Sequence, residues 1–271
     1  MLLRFCVLLL ESSPTLRRLI WRWWYGRLAG RYTARDWTFM NYGYAPPAGT
    51  APLPLDEADE PDRFCAQLYH HVAEPARLRG ADVLEVGSGR GGGASFLTRT
   101  HAPKSYTGAD YSPQAVALCQ QRHAGVPNLK FAVGDAERLP FAAATFDVVV
   151  NVESSHCYGH VDRFFAEVAR VLRPGGRFAY TDFRSVADLT ALTQLLAATP
   201  GLEIVEQEDI TARVLAALEA DDARKRALIA EFVHPRLRPL FGEFAGLSGG
   251  EIHRGFSDRS LTYQRFLLRR R

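Results

Sequence analysis

The 271-residue chain is 47% hydrophobic and 23% charged, with 22 glycines and 15 prolines. This composition excludes a collagen-like or disordered chain and suits one large α/β unit with attached helices. A formal charge of +3 is too small to point to nucleic acid, so a small molecule is the expected partner. The four cysteines, Cys6, Cys65, Cys119 and Cys157, form no C-x-x-C pair; neither a zinc ribbon nor a disulfide framework is expected, and a reducing, cytoplasmic setting is.

The apolar run at residues 1–10 is too short to span a bilayer and lacks a small-residue cleavage site. Residues 13–29, S-P-T-L-R-R-L-I-W-R-W-W-Y-G-R-L-A, predict an amphipathic helix with Ser13 as N-cap and Pro14 in the first turn. Its Trp21, Trp24 and Leu28 would either pack on the main body or give peripheral contact with a membrane surface. Residues 46–61 are Pro-rich and acidic, which marks 1–61 as an N-terminal helical appendage and connector.

A helix is expected over residues 62–76, after which the apolar period changes. D-V-L-E-V at 82–86 reads as a strand running into glycines, followed by a helix over 92–100 and a second strand, S-Y-T-G-A-D, at 105–110. A helix capped by Ser112 with Pro113 at its first position leads to a third strand, L-K-F-A-V, and F-D-V-V-V-N gives a fourth. A helix over 161–172 and the strand G-R-F-A-Y-T-D-F follow. Alternation at this spacing implies a parallel sheet with helices on both faces, over a core at 62–210. Two more strands are expected at 202–206 and 261–268, separated by a helical stretch over 211–245. The insertion 211–257 is too long for an ordinary loop and reads as an extra packed helix pair or a lid, with 258–271 returning to the core as its final strand.

E-V-G-S-G-R-G-G-G at 85–93 holds Gly87, Gly89 and Gly92 in G-x-G-x-x-G spacing, with Asp110 at the end of the next strand. Such glycines allow a tight strand-to-helix turn, and the acid can take ribose hydroxyls; taken alone this fits a nicotinamide dinucleotide. Glu85 argues otherwise, because a carboxylate before the loop does nothing for a pyrophosphate but suits the ammonium and sulfonium of S-adenosylmethionine. Past the third strand, Asp135 of G-D-A-E-R-L-P-F could accept from an adenine amino group. Past the fourth, N-V-E-S-S-H-C-Y places Asn151, Glu153 and His156 around the cofactor's reactive end. Asp182, closing the fifth strand, could orient His156, hold a substrate hydroxyl or cap the next helix.

In this order E-V-G-S-G-R-G, Y-T-G-A-D, G-D-A-E-R-L-P-F, F-D-V-V-V-N-V-E-S-S-H and V-L-R-P-G-G resemble the class I S-adenosylmethionine-dependent methyltransferases. With W-R-W-W-Y, F-M-N-Y-G-Y and D-E-P-D-R-F-C-A-Q-L-Y-H-H, the chain from about residue 21 to 211 resembles the phthiotriolone and phenolphthiotriolone dimycocerosate O-methyltransferases and related polyketide O-methyltransferases. The resemblance implies a Rossmann-like, mostly parallel seven-stranded sheet of order 3-2-1-4-5-7-6 with its last strand antiparallel. It implies S-adenosylmethionine held by Glu85, Gly87, Gly89, Asp110, Tyr111, Asp135, Ala136 and Asn151, with His156 and Asp182 serving the acceptor hydroxyl. Residues 212–257 align poorly with the family, and acceptor specificity is expected there.

The reaction expected is O-methylation of a hydrophobic, polyketide-derived small molecule without a metal, with His156 taking the hydroxyl proton. Trp37, Phe39, Tyr42, Tyr44 and Tyr69 are candidates to line the acceptor pocket. C-methylation of the sterol or tocopherol type is the first alternative. A nicotinamide-dependent reductase, supported only by the glycine spacing, and an idle cofactor-binding protein are more distant ones.

Overall fold

The computed structural model describes residues 37–271; the amphipathic helix expected at 13–29 lies outside them. Strands β1 (Asp82–Val86), β2 (Ser105–Asp110), β3 (Leu129–Val133), β4 (Phe146–Val152), β5 (Leu172–Ser185), β6 (Leu202–Asp209) and β7 (Leu261–Arg270) form one sheet. Their order is β3-β2-β1-β4-β5-β7-β6. β1 to β5 pair parallel and β7 runs antiparallel between β5 and β6, which is the Rossmann-like order the family resemblance implies.

The central strands are buried on both faces, and their alternation sorts side chains between two cores. Val83, Val148, Val150 and Ala179 face one cluster with Leu68 and Val72 of α1 (Arg63–Ala73) and Phe96 and Leu97 of α2 (Gly92–His101). Leu84, Val86, Val149, Phe178 and Tyr180 face the other with Phe164, Phe165 and Val168 of α4 (Val161–Val171) and Leu192 and Leu196 of α5 (Val186–Ala198). Between β2 and β3, α3 (Pro113–Arg122) starts as expected: Ser112 Oγ accepts from the Ala115 N–H at 3.2 Å, with Pro113 at the first position.

Two expected helices are shorter than their patterns. The segment at 62–76 is α1 flanked by single 3-10 turns at Glu60–Asp62 and Glu74–Ala76, since Pro61 and Pro75 cannot donate a helical hydrogen bond. The stretch at 211–245 is not continuous. It divides into α6 (Thr211–Ala220), α7 (Asp222–Phe232) and α8 (Arg238–Phe244), and α9 (Glu251–Ser257) completes the insertion before β7. Pro235, and glycines at 246 and 249 with φ of 67° and 88°, make the later breaks. Val214 and Leu218 of α6 and Phe256 of α9 pack with Tyr263 and Leu267 of β7, so the insertion sits on the α1 face of the sheet.

Residues 37–45 cross the carboxyl ends of the parallel strands as a strap. Thr38 O accepts from Gly92 N–H at 3.3 Å, Tyr44 N–H donates to Phe64 O at 2.9 Å and Ala45 N–H to Arg213 O at 3.1 Å. Asn41 Nδ2 donates to Cys65 O at 3.4 Å. The strap thus ties α2, α1 and the insertion together over one crevice.

Candidate active site

The crevice opens at the carboxyl ends of β1, β2, β3 and β4, where a doubly wound sheet leaves space for a ligand. Its floor is Val86 to Arg90, and its walls include Asp110, Tyr111 and Ser112 after β2, Gly134 to Glu137 after β3, and Glu153, Ser154, Cys157 and Tyr158 after β4. Thr38, Phe39, Met40 and Asn41 of the strap cover it.

Gly87 holds φ at 78°. A Cβ there would collide with Ser154 Oγ and come within 2.9 Å of the Tyr158 hydroxyl. The glycine is therefore required first by the protein's own packing, with Ser154 and Tyr158 drawn up against the loop. Asp110 fixes the loop from below: its Oδ2 accepts the Gly89 N–H and its Oδ1 the Ser112 N–H, both at 2.9 Å. Burial raises its pKa while those N–H groups pull it down. The carboxylate stands at the cavity wall, where it can accept from a diol.

Tyr111, Asp135 and Ala136 also line the crevice, and Asp135 Oδ1 holds the turn by accepting Glu137 N–H at 3.0 Å. Glu85 and Asn151 stand elsewhere. Glu85 is fully buried and faces the α1 side of the sheet, where its two oxygens accept the hydroxyls of Tyr69 and Tyr106 at 2.8 Å each. Burial pushes its pKa up to about 7 against the pull of the two tyrosines. It is not a cavity-wall group presenting its carboxylate to a ligand, as its place in the motif led us to expect; Tyr69, which does line the cavity, stands on it. Asn151 is likewise behind the wall, with Nδ2 donating to Val86 O at 2.8 Å. Its buried Oδ1 has no hydrogen-bond partner among the described residues.

At the β4 end, Asp182 and His156 meet. His156 Nδ1 lies 2.9 Å from Asp182 Oδ1. Asp182 Oδ2 accepts from Ser155 Oγ at 2.6 Å and His156 N–H at 2.9 Å, and Arg184 pairs with it at 3.2 Å. α5 is capped by Ser185 and not by Asp182, which separates two of the alternatives open to that residue. Burial would raise Asp182, but Arg184 and His156 outweigh it and hold the carboxyl well below its ordinary range. Burial would lower His156; Cys157 and Asp182 beside it raise it well above 6.5 instead. The Asp182 carboxylate thus favours the protonated ring, where the sequence alone suggested an unperturbed imidazole. Its ring packs against Phe183 at a tilt of 41° with centroids 4.6 Å apart, while Cys157, its hydrogen-bond neighbour, forms part of the cavity wall.

The five aromatic candidates separate. Phe39 and Tyr69 line the cavity. Tyr42 packs on Phe183 and Phe256, Tyr44 stacks on His71 with centroids 4.2 Å apart, and Trp37 packs on Phe241. Sequence reasoning missed Ser88, whose buried Oγ sits in the cavity wall without a hydrogen-bond partner among the described residues. It also missed Arg184, the cation on Asp182. The run S-G-R and the polar continuation of Y-T-D-F-R were the available signals.

The glycine-floored crevice, the acid at the end of β2 and the sheet order together define a class I methyltransferase fold with a nucleoside-sized site. The orphaned Ser88 hydroxyl and the Asp110 carboxylate at the cavity wall fit a ligand rich in amino, carboxylate and hydroxyl groups, as S-adenosylmethionine is. The family model described as a methyltransferase domain matches residues 84–180. The phthiotriol/phenolphthiotriol dimycocerosates methyltransferase of Mycobacterium tuberculosis is 43% identical over 257 residues, covering 94% of this chain and 93% of that one. A fatty-acid O-methyltransferase of Mycolicibacterium smegmatis is 46% identical over 200 residues, 71% of each chain. Among solved structures, the [4+2]-cyclase SpnF superposes with a TM-score of 0.68 at 23% identity over 91% of this chain and 93% of that one; at that identity the likeness is one of fold. The chain belongs to the class I S-adenosylmethionine-dependent methyltransferases. It is a methyltransferase enzyme, S-adenosylmethionine is its cofactor and a small molecule its acceptor.

Proposed function

We propose that this enzyme transfers a methyl group to a hydroxyl oxygen of a hydrophobic, lipid-like or polyketide-derived small molecule. The observation that carries this reading is the group of proton-handling side chains at the β4 end of the cavity, where Glu153 stands in the wall and the His156–Asp182 pair lies beside it, as an oxygen nucleophile needs. The names of the relatives, a dimycocerosates methyltransferase and a fatty-acid O-methyltransferase, agree with it. C-methylation gains no specific support from the site.

When bound, S-adenosylmethionine supplies a methyl group made electrophilic by its sulfonium. Asp110, Tyr111, Asp135 and Ala136 would hold the nucleoside, and Gly87 and Gly89, with the Ser88 hydroxyl, the floor beneath it. Glu85 and Asn151 act from behind, Glu85 by fixing Tyr69 and Asn151 by fixing the end of β1 and the Ser154–Tyr158 wall. His156 and Asp182 serve the hydroxyl end, and the strap shields the site from water. The insertion 211–257 would select the acceptor from its place on the α1 face of the sheet, the segment at 13–29 would either pack on the main body or touch a membrane surface, and the enzyme works in the cytoplasm.

The test is methyl transfer from isotopically labelled S-adenosylmethionine to long-chain diols and hydroxy fatty acids, with the labelled atom of the product located by NMR. Label on oxygen supports the reading; label on carbon assigns the chain to the alternative.

A further inference from the structure

Glu153 is the first residue past β4, and its backbone holds φ at 49°. A non-glycine residue adopts this left-handed geometry only where its surroundings impose it, and such positions cluster at functional sites. Here Glu153 N–H donates to Thr181 O at 2.9 Å. Glu153 forms part of the cavity wall. There Oε2 accepts two hydrogen bonds, from the strap's Tyr42 N–H at 2.9 Å and from the Tyr263 hydroxyl of β7 at 2.7 Å. Oε1 has no donor among the described residues. His156 differs in both respects: its Nδ1 is taken by Asp182, and its ring is not part of the cavity wall.

We propose that Glu153 is the group that meets the acceptor hydroxyl. Ionised, its Oε1 accepts the hydroxyl's hydrogen bond; as the oxygen–methyl bond forms and the methyl–sulfur bond breaks, the hydroxyl proton passes to Oε1. Neutral sulfide and a carboxylic acid result, and the acid then returns its proton to solvent. His156 and Asp182 become a positioning pair that acts on Glu153 through charge.

The surroundings suit that task. Desolvation pushes Glu153 up to about 7, the Tyr42 N–H, the Tyr263 hydroxyl and the His156 cation pull it down, and Asp182 pushes it up. Tyr69 of α1 faces it as well, its own pKa raised in part by Glu153. A base is most effective when its pKa lies near the working pH. Fixing Oε2 from two sides leaves one oxygen in one place, so the hydroxyl it receives is held in a single orientation.

This inference rests on the O-methylation reading, and the experiment separates the two. Glu153→Gln and His156→Gln are compared with wild type, using a long-chain diol in detergent micelles as acceptor and S-adenosylhomocysteine binding as the check of folding. In Glu153→Gln, turnover should fall roughly 10²- to 10⁴-fold, with product affinity kept within about threefold and the acidic limb of the rate profile lost. Turnover within about fivefold of wild type, with the acidic limb intact, overturns the proposal and returns the proton to His156. A second measurement needs no turnover: infrared titration of the product complex, wild type minus Glu153→Gln. It should show a carboxyl band titrating near 7, moved upward in His156→Gln because the cation is gone. No such band, or one indifferent to His156, overturns the proposal, whereas a diol that wild type leaves unmethylated counts against the O-methylation reading alone.

Discussion

Replacing Asp182 by Asn keeps the side chain's size and removes the charge on which two cations depend. The carboxylate has no solvent exposure, takes Ser155 Oγ, His156 N–H, Phe183 N–H and His156 Nδ1 at 2.6 to 2.9 Å, and pairs with Arg184 at 3.2 Å. An amide can accept from His156 and Phe183, but its NH2 then points donor to donor at Arg184. Removing one partner of a buried ion pair costs about 3 to 5 kcal/mol, because the remaining charge stays desolvated. For a chain of this size about 1 kcal/mol shifts the melting temperature by roughly 2 to 4 °C, so Asp182→Asn should melt roughly 6 to 20 °C lower. The deficit should depend on pH with a defined sign. His156 is raised in the folded protein, so the stability it draws from Asp182 is complete below its unfolded value of about 6.5 and is lost as pH rises through the folded value. The gap between wild type and variant is therefore largest near pH 6 and narrows above neutrality. Scanning calorimetry across pH, with NMR titration of the His156 ring, measures both. A shift under about 3 °C with an unmoved His156 titration would refute the claim that this ion pair holds the acceptor end together.

Gly87→Ala should abolish cofactor binding, since the new Cβ meets Ser154 and Tyr158 in a backbone geometry at φ 78°; calorimetric affinity like that of wild type would contradict the packing given for the loop. Asp110→Ala should weaken S-adenosylmethionine binding by about 1 to 3 kcal/mol, beyond any loss from freeing Gly89 and Ser112, and an unchanged dissociation constant would reduce Asp110 to a brace for the loop. Transfer should survive chelation, since Asp110 is engaged with the glycine loop and Asp182 with His156 and Arg184, leaving the proton to side chains and not to a metal; loss on chelation that magnesium restores would contradict this.

The sheet was legible because its signals are local. Short β-branched runs at regular spacing, a Ser-Pro helix start at 112–113 and glycines after the first strand each depend on neighbours in sequence. The insertion was less so, because a polar-apolar period continues through Asp221 and up to Pro235 without marking where three helices turn against one another. Motif position located the crevice but not side-chain direction. Glu85 and Val83 share a face of β1, which sends the carboxylate to Tyr69 and Tyr106 on the α1 side, away from the glycine loop. His156 read as an ordinary imidazole because its raised pKa depends on Asp182, 26 residues away in sequence. Glu153 stood in the right motif, but nothing in N-V-E-S-S-H encodes a left-handed turn with one carboxylate oxygen tied and the other open.

The central claim is that the oxygen of a lipid-like hydroxyl takes the methyl group at the β4 end of this cavity. Incubating the enzyme with methyl-labelled S-adenosylmethionine and a long-chain diol, then locating the label by NMR, tests it most directly. The account predicts a methoxy carbon on one hydroxyl, formed catalytically; a labelled methyl bonded to carbon would contradict it.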